Sequence, residues 1–388
     1  MLGLLVASYF LRFINSDLHK WLLVEWEGQF QRSIADLGLI TVAITLPWGV
    51  AAPLLGPFSD RYGRKPLLVV GLALAGLSSA LTALSWDLHS LIFFRFLAGV
   101  GGAASAPAAI TVIGDVVPPQ QRGKPMAFLF AGEAIGALVG IPIITWAAGS
   151  FGWRTAFIVE GALYLPIVLA MLFVVPFPRW HAQATSWTGG LSAVLRDRWT
   201  VMLLILNALV QVSFFVADTY LPSFIRKTYN LDLHQTVPVT YILAVGTLLG
   251  ALSGGPLADR LPRYTGAAGT AIATGILGMA MVYLTGNLWL SVALAAGFRA
   301  VHYAYRPIYT CIITQVQTAR RGTVMGLNAT SNNLGTAAGS ALGNVVLTGF
   351  GFPPLGIAAL MLSLVPAIGI PLLGRLRPPD DSCSTGEL

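Results

Sequence analysis

The chain is a succession of about twelve apolar runs, each near the length a helix needs to cross a membrane. A hydrocarbon layer about 30 Å thick takes roughly 20 apolar residues per helical span. Runs of that kind, parted by polar or Gly/Pro clusters, fall near residues 3–24, 38–58, 66–85, 91–114, 125–148, 154–176, 200–223, 238–258, 266–286, 288–315, 323–349 and 354–375. None alternates at a period of two over strand lengths, which argues against a transmembrane barrel. The pattern predicts an all-α membrane protein with twelve transmembrane helices. Composition agrees, because only 10% of the 388 residues are charged, against about 25% in soluble domains. Too few charges are present to clothe a soluble enzyme or a disordered chain. Two cysteines, Cys311 and Cys383, are too few for a disulfide framework or a Cys-based metal site.

The positions of the charges predict an orientation. Lys and Arg outnumber Asp and Glu by 23 to 16, a net charge of +7. Fourteen of the basic residues fall in even-numbered connections or the tail, among them Arg61, Arg64, Lys65, Arg122, Lys124, Arg260 and Arg321. Odd-numbered connections hold only Arg32, Arg154, Arg226 and Lys227. Cytoplasmic loops are enriched in Lys and Arg, so a multi-pass protein of the cell (inner or plasma) membrane with both termini cytoplasmic is expected. The excess charge then marks topology, and no aromatic-interleaved basic patch points to nucleic acid. The first apolar run has no basic stretch before it and reads as a retained helix rather than a signal peptide.

One offset recurs along the chain. Gly56-Pro57-Phe58-Ser59-Asp60-Arg61 returns as Gly255-Pro256-Leu257-Ala258-Asp259-Arg260, 199 residues later. Arg122-Gly123 returns as Arg321-Gly322, and Met126, Gly136 and Gly140 map onto Met325, Gly335 and Gly339. A constant offset over several motifs predicts two parallel, pseudo-symmetric six-helix bundles, residues 1–176 and 200–375. A polar linker at 177–199 joins them and a tail follows at 376–388. Parallel repeats are a transporter architecture with the solute site near the midplane. Gly132, Gly136 and Gly140 in the fifth span, and Gly335, Gly339 and Gly343 in the eleventh, predict close packing and a mobile interface between the halves.

Gly56 through Lys65 reads as the connection between the second and third spans. Its glycines allow a tight reversal, and Asp60 can cap a helix or pair with a base. Here the sequence resembles the major facilitator superfamily, whose loop pattern G-x-x-x-D-R-x-G-R-[RK] is filled at every position by Gly56, Asp60, Arg61, Gly63, Arg64 and Lys65. With Asp259 and Arg260 of the second copy, these residues are implied to form a conformational gate. Arg95, followed by Gly99, resembles the family's fourth-helix motif, which implies a buried arginine active in coupling or in cavity electrostatics. Gly136 to Pro142, followed by Gly152-Trp153-Arg154, is similar to the fifth-helix motif of the drug and sugar efflux antiporters, with its prolines and glycines shifted.

Ionisable residues inside a span are costly and mark functional candidates. In the first span Arg12, Asn15, Ser16 and His19 share a face, with Asp17 and Lys20 spaced to pair on its flank. In the tenth, Arg299, His302, Tyr303 and Arg306 share a face that cannot point at lipid. Glu133 sits beside the glycine face of the fifth span, Glu160 lies in the sixth, and Asp218 near the external end of the seventh. Asp17, Glu133, Arg95 and Asp218 are the candidates for proton coupling. Arg12, Asn15, His19, Asn207, Gln211, Arg299, His302, Tyr303, Arg306, Asn328 and Asn332 are the candidates for binding substrate. No metal-ligand spacing or P-loop occurs, so no cofactor is expected beyond a proton gradient.

These readings combine into a monomeric secondary active transporter moving a small organic solute across the bilayer by alternating access. The efflux resemblance puts proton-coupled export first. An organic-anion uptake carrier is the alternative, since Arg12, Lys20, Arg95, Arg299 and Arg306 outnumber the intramembrane carboxylates by one. A non-transporting membrane sensor comes last.

Overall fold

A computed structural model of the protein describes residues 1–117, 123–174, 194–316 and 321–376. Their long elements are helices: α1 (Leu2–Trp21), α2 (Leu23–Phe30), α3 (Ile34–Tyr62), α4 (Arg64–Thr82), α5 (Leu88–Val116), α6 (Gly123–Ile135), a π segment (Gly136–Gly140), α7 (Ile141–Phe151) and α8 (Trp153–Val174). The second half holds α9 (Arg198–Asp218), α10 (Leu221–Tyr229), α11 (Val237–Arg260), α12 (Arg263–Tyr283), α13 (Leu288–Val316), α14 (Arg321–Phe350) and α15 (Pro353–Leu376). Among the described residues nine segments are long and apolar enough to cross a hydrocarbon layer. The long helices outside that set, α1, α13 and α14, carry the first-span charges, the tenth-span Arg/His face and the eleventh-span asparagines. Polarity is concentrated in helices that other helices shelter.

The 199-residue offset extends to the backbone. Helix α2 ends on Gln31 and α10 on Asn230, both left-handed at φ 52°. Gly152 and Gly351 form a second pair, at φ 86° and 78°. A positive φ is strained for side-chain-bearing residues, so its recurrence at equivalent places marks the same bend built twice. The first and seventh spans are accordingly each a long helix followed by a short one.

Two expectations change. Residues 56–62 extend α3 rather than forming a loop, and the chain reverses at Gly63 alone, whose φ of 89° a side chain would oppose. The glycine stripes pack within each half rather than between them. Gly132 and Gly136 lie against the α1 carbonyls of Val6 and Phe10, and Gly335, Gly339 and Gly343 against the α9 carbonyls of Ala208, Val212 and Val216. Removing the side chain lets backbones approach closely, and here it seats the charge-bearing α1 and the polar α9.

Within the first half α4 packs on α5 and α8, α3 on α5, and α1 on α6. Within the second, α11 packs on α13, α12 on α15, and α9 on α14 and α15. The halves meet where α3 runs along α14, where α11 crosses α7 and the π segment, and where α1 and α2 touch α10. This last contact lies on the distal face, opposite the end at which α1 begins.

Candidate functional site

Four charges cross between the halves near the distal end of α1. Lys20 Nζ lies 2.7 Å from Asp17 Oδ1 and 2.8 Å from Asp218 Oδ2. Arg299 Nε donates to Asp218 Oδ1 at 2.8 Å, and its Nη1 stands 3.8 Å from Asp17 Oδ2. Asp17 and Lys20 belong to the first half, Asp218 and Arg299 to the second. All four are buried, which two acids and two bases can sustain only by pairing. Asp218, placed by sequence near the external end of its helix, is 2% exposed.

A second tier closes the distal face above them. Arg226 sets both terminal nitrogens on the Glu25 carboxylate at 2.6 Å and donates to the Trp21 carbonyl at 3.1 Å. Such a two-pronged pair is geometrically selective. Lys227 pairs with Glu27 at 2.7 Å, and the Tyr220 hydroxyl donates to the Ser340 carbonyl at 2.9 Å beside Gly38. Sequence reading counted Arg226 and Lys227 only as loop charges. A signal was present, since Glu27 and Arg226 stand 199 residues apart with opposite signs.

Below the tetrad a small cleft of the first half is lined by Arg12, Asn15, Ser16, Trp48, Ser105 and Tyr164 among others. Arg12 forms an ion pair with Glu133 of α6. Its guanidinium also lies over the rings of Tyr9 at 4.7 Å and Trp48 at 4.9 Å. Arg306, on the other half, is exposed, sits 5.7 Å from the Tyr303 ring centre and acts electrostatically on Arg12. Among the described residues no carboxylate stands within 4 Å of it. His302 is buried and stacks on Phe214 with ring centres 3.7 Å apart. The cleft wall thus carries one arginine, Arg12, between the rings of Tyr9 and Trp48, with Arg306 of the other half within electrostatic reach of it, an arrangement suited to a planar anion.

The other candidates divide. His19 is fully buried and bonds Thr41 Oγ1 at 2.7 Å. Arg95, also fully buried, donates to Thr82 Oγ1 from Nε and Nη2 at 2.9 and 2.7 Å. Asn207 is a hub inside the second half, donating to Asn332 at 2.7 Å and Asn328 at 3.2 Å and accepting from Tyr305. Gln211 donates to the same Asn332 oxygen at 2.8 Å. Asn207 and Gln211 thus spend amide donors on the oxygens of Asn328 and Asn332, tying α9, α13 and α14 together. Among the residues expected to form a gate, Arg64 donates to the Thr111 carbonyl at 2.7 Å and Lys65 to that of Leu172 at 2.6 Å. Asp259 and Arg260 are exposed at the end of α11. The side chains of Asp60 and Arg61, and most of the linker at 177–199, lie outside the described residues.

The profile of the Major Facilitator Superfamily matches residues 5–340. The uncharacterized MFS-type transporter YceJ of Bacillus subtilis (strain 168) is 27% identical over 321 residues, 81% of each chain. The 3-(3-hydroxy-phenyl)propionate transporter of Escherichia coli (strain K12) is 26% identical over 324 residues, 78% of this chain and 75% of its own. A bacterial homologue of the human lysosomal transporter Spinster, solved in an inward-facing and occupied conformation, superposes with a TM-score of 0.76. It covers 96% of both chains at 17% identity, a likeness of fold alone.

Proposed function

This chain belongs to the Major Facilitator Superfamily, a membrane transporter rather than an enzyme, and on that premise we propose that it carries a small organic anion, together with a proton, by alternating access. The observation that carries the reading is Arg306, a cation of the second half that acts electrostatically on the cleft residue Arg12 and has no carboxylate within 4 Å among the described residues. The Escherichia coli relative, named for an aromatic carboxylate, supports the same class of substrate.

Coupling follows from competition for Arg12. While Glu133 is ionised it occupies the Arg12 guanidinium. A proton on Glu133 weakens that pair and leaves Arg12 for the substrate carboxylate, with Arg306 approaching from the other half. Proton and anion then favour the same state and travel together, which supports uptake. The proton-antiport efflux implied by the fifth-helix resemblance requires the reverse, a proton that displaces substrate.

The test uses purified protein in proteoliposomes with 3-(3-hydroxyphenyl)propionate and a panel of aliphatic carboxylates as probes. An inwardly directed proton gradient is expected to drive accumulation of at least one anion. Arg306→Gln removes a charge-assisted contact of about 1.5–3 kcal/mol, so its apparent affinity drops roughly 10- to 150-fold. Accumulation driven by the opposite gradient restores the efflux reading. Binding confined to neutral or cationic solutes refutes the anion assignment.

A further inference from the structure

The carrier mechanism above makes no use of Glu160. This carboxylate of α8 is 0% exposed and lies deep in the first half. Ser79 of α4 donates to its Oε2 at 2.6 Å, while Oε1 accepts no hydrogen bond. Its nearest cation is Arg95 of α5, also 0% exposed, yet the two make no ion pair within 4 Å. Arg95 spends Nε and Nη2 on Thr82, and Nη2 reaches the Ser78 carbonyl at 3.4 Å. Its plane lies over the Phe157 ring at 4.8 Å, and Nη1 has no partner. An acid and a base, both dry and both holding an unused terminal atom, thus stand side by side without closing. Buried charges in a settled ion pair do not leave such atoms idle.

The pair is connected to the cleft. Asn15 of α1 lies within reach of the Glu160 carboxylate, and Tyr164, one turn along α8, interacts electrostatically with it. Both residues also line the cleft. The groups facing Glu160 are therefore Ser79 from α4, Arg95 from α5, Asn15 from α1 and Tyr164 from its own helix, with Arg12 and His19 further along α1. Among the described residues facing Glu160 on α4, α5 and α8, Arg95 is the one that carries a full charge.

We propose that Glu160 is a proton-exchange site of the carrier, with Arg95 as a counter-charge that alternates between Thr82 and the Glu160 carboxylate. A proton passes from water in the cleft to Oε1, forming the O–H bond there and leaving a neutral carboxyl that keeps its bond from Ser79. Arg95 then stays on Thr82, the arrangement described here. Loss of that proton to the cleft leaves a carboxylate, which draws Arg95 Nη1 into an ion pair. Because Thr82, Ser78 and Ser79 all belong to α4, the exchange changes how α5 and α8 are held against α4.

The proposal stands apart from the anion reading, and its test needs no substrate. Infrared difference spectra of the full chain in lipid, taken between acidic and neutral buffer, report the carbonyl band of each carboxyl that changes protonation. A band is expected that is lost in Glu160→Gln, kept in Glu133→Gln and Arg12→Gln, and displaced in frequency in Ser79→Ala, where its hydrogen-bond donor is gone. Identical wild-type and Glu160→Gln spectra overturn the proposal. Should Glu160→Gln fail to fold, an unmoved spectrum in Ser79→Ala overturns it equally. Arg12→Gln separates the two readings, since it abolishes anion transport under the first and leaves this band untouched under the second.

Discussion

Asp218→Asn tests whether the buried tetrad holds the distal face shut. The substitution keeps the shape and removes one negative charge, leaving Asp17, Lys20 and Arg299 with a net charge of +1. Lys20 retains Asp17 at 2.7 Å, but the nearest carboxylate to Arg299 is then Asp17 at 3.8 Å. Removing one partner of a buried pair costs about 3–5 kcal/mol. The lower end applies, because the amide oxygen of Asn still accepts from Arg299. Separating the halves at this face lets water reach Arg299 and relieves the cost, so the balance moves toward the distally open form by about 3 kcal/mol, roughly 150-fold. Spin labels at Arg32 and Thr228, both exposed on this face and on opposite halves, report the change by pulsed dipolar spectroscopy in a Cys311→Ser/Cys383→Ser background. The distance distribution should lengthen in Asp218→Asn and return toward wild type in Lys20→Met/Asp218→Asn. In that double variant the remaining charges, Asp17 and Arg299, are opposite in sign and sit on different halves. A single variant with the wild-type distribution, or a double variant opened by the sum of both changes, refutes the reasoning.

Two other predictions concern stability. A methyl at Gly335 would stand 2.6 Å from the Ala208 carbonyl oxygen and 2.7 Å from Gln211 Cβ, so Gly335→Ala should destabilise by about 1–3 kcal/mol; Gly326→Ala, in the same helix with nothing within 4 Å, should be neutral or stabilising, and thermal unfolding midpoints decide both. Asp87 caps α5 by accepting from the Ser90 backbone N–H at 2.8 Å, and that bond, with the Ser90 hydroxyl, holds its carboxyl below the usual aspartate range. A lowered folded value means that the cap stabilises above the ordinary aspartate titration and that this is lost as pH falls through the lowered one. The unfolding midpoint of Asp87→Asn should therefore show a weaker acid dependence than wild type.

The repeat was legible because its markers are local: a motif, its copy and a constant spacing. The backbone repays that reading with Gln31 and Asn230, or Gly152 and Gly351, at the same offset. The Asp17–Lys20 pair was legible for the same reason, being three residues apart on one helix. Arg12 and Glu133, or Glu25 and Arg226, were not, because their meeting depends on how separate helices rotate and cross. The glycine stripes show a related limit. Periodicity identified the close-packing faces but not the helix that each would receive, and α1 and α9 proved to be inside their own halves. The amides of α9 and α14 had the polarity of a binding surface, and only their mutual distances reveal how they are spent.

The tetrad also has an electrical consequence. Each half owns one acid and one base, already paired at 2.7 Å in the first and 2.8 Å in the second. Parting the halves breaks only the two crossing contacts and leaves each side with a neutral couple. A single charge carried across the membrane field exchanges about 2.3 kcal/mol per 100 mV; a rocking motion that carries neutral couples exchanges almost nothing. For these four residues, opening and closing of the distal face is indifferent to membrane voltage. The outer pairs differ, because parting Arg226 from Glu25 and Lys227 from Glu27 leaves like charges on each half, so any voltage sensitivity of the distal face belongs to that tier and not to the tetrad.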